Sequence, residues 1–309
     1  MKLSKLLVLL APLTLFAQME AVPEFSFPET EIQFSEPLQH MPLPKKYKSP
    51  ALAVLFSTFI PGSGHYYLGD YRTASELLGS TFLSAVGIAA TANDPELFFT
   101  SIITTQAVSM YGIYAAYRDT SLYNGNPLAT MPRDNIKNLI AAPFQWSILK
   151  KPEVWGGCLG AIAVAGTVMY FAHAEKVSAN TATTYITPLN AFPVAIGEES
   201  FFRGFLQPAL NANLPDWCAI TLSSLVFGAA HIPNAFLLEP SEQRNYFTFS
   251  LPLITSIGAY LGWLSHKNRS IKECVAIHAW YDFAIFATGA LANRAFIGGK
   301  SQFHHSWQF

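Results

Sequence analysis

Glu198-Glu199-Ser200-Phe201-Phe202-Arg203 sits inside a strongly apolar segment, residues 185–210, where ionisable side chains are costly. A charge at mid-bilayer costs about 2.5–3.5 kcal/mol even on the lenient insertion scale. Two further apolar segments carry ionisable groups in the same way: Phe227-Gly228-Ala229-Ala230-His231 and His278-Ala279-Trp280-Tyr281-Asp282. Charges clustered in separate apolar segments imply a polar, water-reaching site. They are expected in an all-α, polytopic membrane bundle.

Composition agrees. The chain has 309 residues, 51% of them hydrophobic and 13% charged, against about 25% charged in soluble domains. A net charge of −1 and the lack of any long basic run exclude a nucleic-acid partner. The cysteines, Cys158, Cys218 and Cys274, have no C-x-x-C spacing and read as small buried hydrophobes.

Apolar segments occur at 51–68, 75–93, 97–117, 155–173, 185–210, 217–238, 246–265 and 272–293. Most approach spanning length, which predicts about eight transmembrane helices, or seven if a broken one is re-entrant. Residues 1–20 combine Lys2 and Lys5 with a short apolar run, the pattern of a signal peptide or short anchor. Residues 21–50 form a Pro-rich linker expected on the exported side. Then follow an N-terminal membrane block (51–117), a cytoplasmic interfacial connection (118–154), a membrane domain holding all three motifs (155–295) and a tail (296–309). The tail histidines His304 and His305 read as part of a mobile end.

The positive-inside rule places the basic loops 118–154 and 266–272 in the cytoplasm. Eight spans satisfy both but put the Lys45-Lys46-Tyr47-Lys48 cluster on the wrong side.

On a helix, Glu199 and Arg203 are four apart, acid first, the favoured order for an ion pair. Glu198 points about 100° away and has no local partner. A desolvated, unpaired carboxylate suits a general base. Phe227 and His231 share a helical face, and Pro233 should end that helix near the histidine. Asp282 can fix the tautomer of His278, or both can turn to one ligand. Pro188 and Pro193 should loosen the helix carrying Glu198. Two imidazoles and a free carboxylate could activate a water, or Glu198, His231 and His278 could hold a divalent metal such as zinc.

These residues resemble the motifs of the CPBP family (CAAX-protease and bacteriocin-processing, or Abi, intramembrane proteases). Its EExxxR, FxxxH and Hxxx(D/N) patterns match Glu198/Glu199/Arg203, Phe227/His231 and His278/Asp282. The resemblance spans residues 150–295. It implies a helical membrane endopeptidase in which Glu198 and His231 activate water. His278 and Asp282 would stabilise the oxyanion or complete a metal site, and Glu199 with Arg203 would hold the geometry. A smaller element, Pro61-Gly62-Ser63-Gly64-His65-Tyr66-Tyr67, resembles a Pro-Gly-x-Gly-x-x-Tyr pattern of small bacterial membrane proteins and allows a re-entrant turn, with His65 read as a packing or turn residue.

The expected function is hydrolysis of a peptide bond in a membrane-embedded peptide or protein, with the lipid bilayer as the other partner. The expected location is a bacterial inner membrane. The competing readings are a non-catalytic scaffold or immunity protein that keeps the fold, and an ion-coupled transporter, for which the halves show no inverted repeat.

Overall fold

The computed structural model describes residues 46–125, 132–171 and 187–296. The expected leader, nearly all of the Pro-rich linker and the tail beyond Phe296 lie outside the described residues. Every element among the described residues is helical, with no strand.

α1 (Pro50–Phe59) and α2 (Ser63–Leu68) fold back on each other across Ile60-Pro61-Gly62. The side chain of Ser49 caps α1 by accepting from Leu52 N. Gly62 has φ 95°, a conformation that glycine tolerates, and a Cβ there would meet Ala74 O at 2.5 Å. Ten residues of α1 rise about 15 Å, half the thickness of a hydrocarbon core of about 30 Å.

The hairpin starts and ends beside the C-terminal end of α4 (Pro95–Tyr123). Lys48 N donates to Asn124 Oδ1 at 3.0 Å, and Asn124 Nδ2 donates back to Lys48 O at 2.7 Å. On the returning arm, His65 Nε2 lies 3.1 Å from Asp119 Oδ2. The first apolar segment, 51–68, is therefore not one span, because it is broken at Pro61-Gly62. Lys48, the described end of the segment expected to be exported, lies against the same end of α4 as Arg118.

α3 (Tyr71–Ala90) runs antiparallel to α4. Its Leu78, Phe82, Leu83 and Val86 are exposed, as suits a lipid-facing helix. The connection that follows α4 holds α5 (Ile136–Ala141) and α6 (Trp146–Leu149). Ile140, Phe144 and Trp146 point outwards, while Leu139, Ala142 and Ile148 are buried. This is the amphipathic pattern of an interfacial segment, but the inner face is a packing surface as well.

α7 (Pro152–Phe171) leads towards a compound helix over Thr187–Asn211. That helix comprises a 3₁₀ start (Thr187–Asn190), α8 (Ala191–Glu199), a π segment (Ser200–Leu206) and α9 (Gln207–Asn211). α10 (Asp216–Ala230), short α11 (Ile232–Ala235) and α12 (Pro240–Asn245) precede a second π segment, Tyr246–Ser250. It runs into α13 (Leu251–Asn268), and α14 (Lys272–Phe296) closes the bundle.

Both π segments end just before a proline, Pro208 and Pro252. A proline inside a helix lacks an N–H and clashes with the carbonyl four residues back. Widening the helix by one residue removes that conflict. Pro188 and Pro193 sit in the opening turns of their helix, where no N–H is needed, so the loosening occurs downstream of the expected position.

Among the described residues, three helical stretches are long and apolar enough to cross a membrane: Tyr71–Ala90, Asp216–Ala235 and Glu242–Asn268. The other expected spans are helical over their described residues but are shorter, less apolar, interrupted or charged. The two basic loops meet on one face. Asp134 Oδ2 accepts from Ile271 N at 2.8 Å, Lys151 pairs with Glu273, and Lys267 Nζ lies 3.7 Å from Glu153.

Two packed clusters flank the charged residues. One joins Ile148, Val154, Cys158, Leu261, Leu264, Cys274 and Ile277; the other joins Phe202, Phe227, Leu238, Tyr246 and Ile254. Cys158 and Cys274 are buried as expected, whereas Cys218 is half-buried, and all three are free thiols.

Candidate active site

The compound helix supplies Glu198 and Glu199 at the end of α8 and Arg203 from its π segment. Arg203 Nη1 donates to Glu199 Oε1 at 3.0 Å, as the i,i+4 spacing predicts. Its Nη2 donates to Gly258 O on α13 at 3.0 Å, and the guanidinium lies 4.3 Å from the centre of the Phe227 ring. One residue thus neutralises a carboxylate, closes a helix–helix contact and makes a cation–π contact.

Gly258 allows this approach, since a Cβ there would come within 3.0 Å of both Arg203 Nη2 and Phe227 Cδ1. One turn along each helix, Gln207 Nε2 donates to Gly262 O at 2.9 Å. The Gly258-x-x-x-Gly262 spacing is therefore matched to Arg203 and Gln207. Sequence reading missed it, although the G-x-x-x-G pattern was there to find.

His231 sits just beyond the end of α10, before the Pro233 turn, as expected. Its Nδ1 lies 2.8 Å from Phe227 O. A carbonyl only accepts, so Nδ1 carries the proton and a neutral ring leaves its lone pair on Nε2. Tyr246 OH donates to His231 O at 2.9 Å, holding the backbone at this helix end. Tyr246 was not singled out from sequence, because nothing local distinguishes it from other aromatic residues.

His278, on α14, lies between carboxylates. Its Nδ1 is 2.8 Å from Glu199 Oε1, and its Nε2 is 3.2 Å from Asp282 Oδ2. With an acceptor at each nitrogen the ring can donate from both, as an imidazolium does. The expected pairing of His278 with Asp282 is present. No local pattern marks Glu199 as shared between Arg203 and His278, because the contact with His278 joins residues 79 apart.

Glu198 Oε2 lies 3.8 Å from His278 Nε2 and 4.0 Å from His231 Nε2. It is buried with no hydrogen-bond partner among the described residues. The Glu199 and Arg203 side chains are 0% and 1% exposed, while Glu198 and His231 keep 18% and 15%. The first pair is sealed; the second keeps part of its side-chain surface open, with Glu198 Oε2 itself buried.

All seven motif residues, Glu198, Glu199, Arg203, Phe227, His231, His278 and Asp282, thus meet in one cluster. As placed, no group of three or more His, Cys, Asp or Glu among the described residues has the arrangement to hold a metal ion. The Nε2 atoms of His278 and His231 lie 3.8 and 4.0 Å from Glu198 Oε2, somewhat wider than the separation of two ligands that each stand about 2.1 Å from a tetrahedral zinc. A groove of about 560 Å³ between α7 and α13, lined by Gly156, Gly160, Pro252 and Tyr260 among others, is separate and takes none of the seven residues.

Residues 180–284 match the family model described as type II CAAX prenyl endopeptidase Rce1-like. The match contains all three motifs and agrees with the resemblance read from them; α1 to α7 lie outside it. No curated protein and no solved structure matches the chain.

Proposed function

We propose that this protein is an intramembrane endopeptidase that hydrolyses a peptide bond of a membrane-associated peptide or protein. The observation that carries this reading is the unpartnered Glu198 Oε2, buried within 4.0 Å of two imidazole Nε2 atoms on a side chain that is otherwise partly exposed.

A water between Glu198 and His231 would find two acceptors, the carboxylate and the lone pair on Nε2. Either takes a proton as the water oxygen attacks the scissile carbonyl. His278 Nε2 faces the same space, and its N–H, held by Asp282 at 3.2 Å, would turn to the oxyanion that forms. The proton held at Glu198 or His231 then passes to the leaving amine. Asp282 and Glu199 hold the His278 ring from its two sides, and Arg203 keeps Glu199 in place. Phe227 packs beneath Arg203 and His231.

The bundle reads best as seven spans: α3, α4, α7, the Thr187–Asn211 helix, α10, α13 and α14. The α1–α2 hairpin would be re-entrant. This count keeps Lys48 and both basic loops on the cytoplasmic face. α1–α4 would then form the N-terminal block, residues 132–151 the interfacial connection, and α7–α14 the peptidase domain. We place the protein in a bacterial inner membrane.

The test is cleavage of a membrane-peptide library by detergent-solubilised protein, comparing wild type with Glu198→Ala and His231→Ala, each with and without a chelator. Cleavage lost in both variants supports the reading, and chelator sensitivity would bring in a metal that moves the ligands together. No cleavage by folded wild type favours a non-catalytic scaffold. Equal cleavage by all three proteins identifies a contaminant.

A further inference from the structure

The two halves of the site come from different helices. Glu198, Glu199 and Arg203 belong to the Thr187–Asn211 helix, and His278 and Asp282 to α14. Within the site they meet in the 2.8 Å contact of His278 Nδ1 with Glu199 Oε1, and beside it Phe192 packs on Trp280 and Phe283; the start of α14 is held from elsewhere.

Tyr114 on α4 touches one half directly and reaches the other through Asp134. Its ring fills the space left by Gly204 in the π segment, where a Cβ would meet Tyr114 Cδ2 at 2.6 Å. Its hydroxyl donates to the carbonyls of Pro132 and Asp134 at 3.0 and 3.1 Å. The Asp134 side chain then reaches the start of α14, where Oδ2 accepts from Ile271 N at 2.8 Å. Asp134 is 6% exposed, and Arg118 donates to its backbone carbonyl as well. Arg118 is itself locked by a two-point contact to Asp119, at 2.7 and 2.9 Å, and Asp119 holds the buried His65. Two further contacts from the connection, Lys151 to Glu273 and Trp280 Nε1 to Pro143 O, grip α14 side chains. Asp134 is the contact from the connection that holds the α14 backbone at its start, beside the local cap in which Ser270 Oγ accepts from Lys272 N at 3.2 Å.

We propose that Asp134 is a positioning residue for the reaction. Through its acceptor oxygen, and braced by Tyr114, it sets where α14 presents His278 and Asp282 to the glutamates. This gives the N-terminal block, which lies outside the family match, a role in the site. The inference rests on the peptidase reading for its kinetic consequence but not for its structural one.

The test uses the full chain in detergent with three variants: Asp134→Ala, Asp134→Asn and Tyr114→Phe. Hydrogen–deuterium exchange is followed on the peptide covering residues 271–280, and kcat and KM on a cleaved membrane peptide. Asp134→Ala should raise exchange at the first turn of α14. It should also lower kcat about 10–100-fold with KM little changed, the scale of a sub-ångström to 1 Å misplacement. Asp134→Asn keeps an acceptor oxygen and should restore both readouts. Tyr114→Phe keeps the ring packing and should give the same effects in weaker form, so it decides the matter if Asp134→Ala does not fold. Wild-type exchange in Asp134→Ala and Tyr114→Phe would overturn the proposal, as would an Asp134→Asn as impaired as the alanine variant. Altered exchange with no cleavage by wild type would leave the strut standing and sink the peptidase reading.

Discussion

Neutralising each of the two adjacent glutamates in turn should have unequal effects on stability. Glu199 is 0% exposed and receives Arg203 at 3.0 Å and His278 at 2.8 Å. At an effective dielectric of about 20, each such contact between full charges is worth about 5–6 kcal/mol before desolvation. Breaking a buried pair by removing one partner costs about 3–5 kcal/mol net. In Glu199→Gln one oxygen still accepts a hydrogen bond, so the loss should fall near the lower end, about 3 kcal/mol. At about 2–4 °C per kcal/mol for a domain of this size, that lowers Tm by about 6–12 °C. Glu198 Oε2 has no hydrogen-bond partner among the described residues, and its attraction to His278 at 3.8 Å is opposed by Asp282 and Glu199 on the same ring. Glu198→Gln should therefore change stability by less than about 1 kcal/mol, in either direction, while abolishing cleavage. Thermal unfolding in detergent followed by circular dichroism, beside the cleavage assay, reads both effects. If Glu198→Gln destabilised the fold as much as Glu199→Gln, the division between a sealed pair and a free carboxylate would be wrong.

Three further outcomes are expected. Gly258→Ala places a Cβ 3.0 Å from Arg203 Nη2 and Phe227 Cδ1 and should cost about 1–3 kcal/mol, read as a lowered Tm with impaired cleavage. In oriented vesicles, Lys48→Cys should react with an impermeant thiol reagent from the same side as Lys150→Cys, since Lys48 lies at the α4 end that leads into that loop; labelling from opposite sides would refute the re-entrant hairpin. Burial raises the pKa of Asp134 above the usual carboxylate value, against the lowering effects of Ile271 N, the Ser270 hydroxyl and Lys272, with Glu273 acting in the same direction as burial. A raised folded-state pKa means a contribution present below the unfolded value of about 3.9 and lost as pH rises through the folded value. Measured against Asp134→Asn, wild type should therefore lose relative stability as pH rises across that window, and a flat difference would contradict the assignment.

The charged positions were legible because the bilayer makes them expensive: each of Glu198, Glu199, Arg203, His231, His278 and Asp282 stands out against its apolar segment. Helical spacing gave the Glu199–Arg203 and His278–Asp282 pairs, and Pro233 gave the helix end at His231. Periodicity could not show that 51–68 folds back on itself, because a broken apolar run has the same composition as a spanning one. Nor could it show the π segment at Ser200–Leu206, which answers the ring of Pro208 rather than the motif beside it.

Sequence alone determined which residues are chemically costly, hence that a polar site exists within a helical membrane protein, since those costs are local and additive along the chain. The tertiary structure decided how they meet. It placed His278 on Glu199, Arg203 on the Gly258 carbonyl, and Tyr114 and Asp134 between the two halves of the site. Such contacts join residues tens of positions apart and depend on helix register and on missing side chains at Gly204 and Gly258. No local pattern encodes them, because they arise only when separate helices pack.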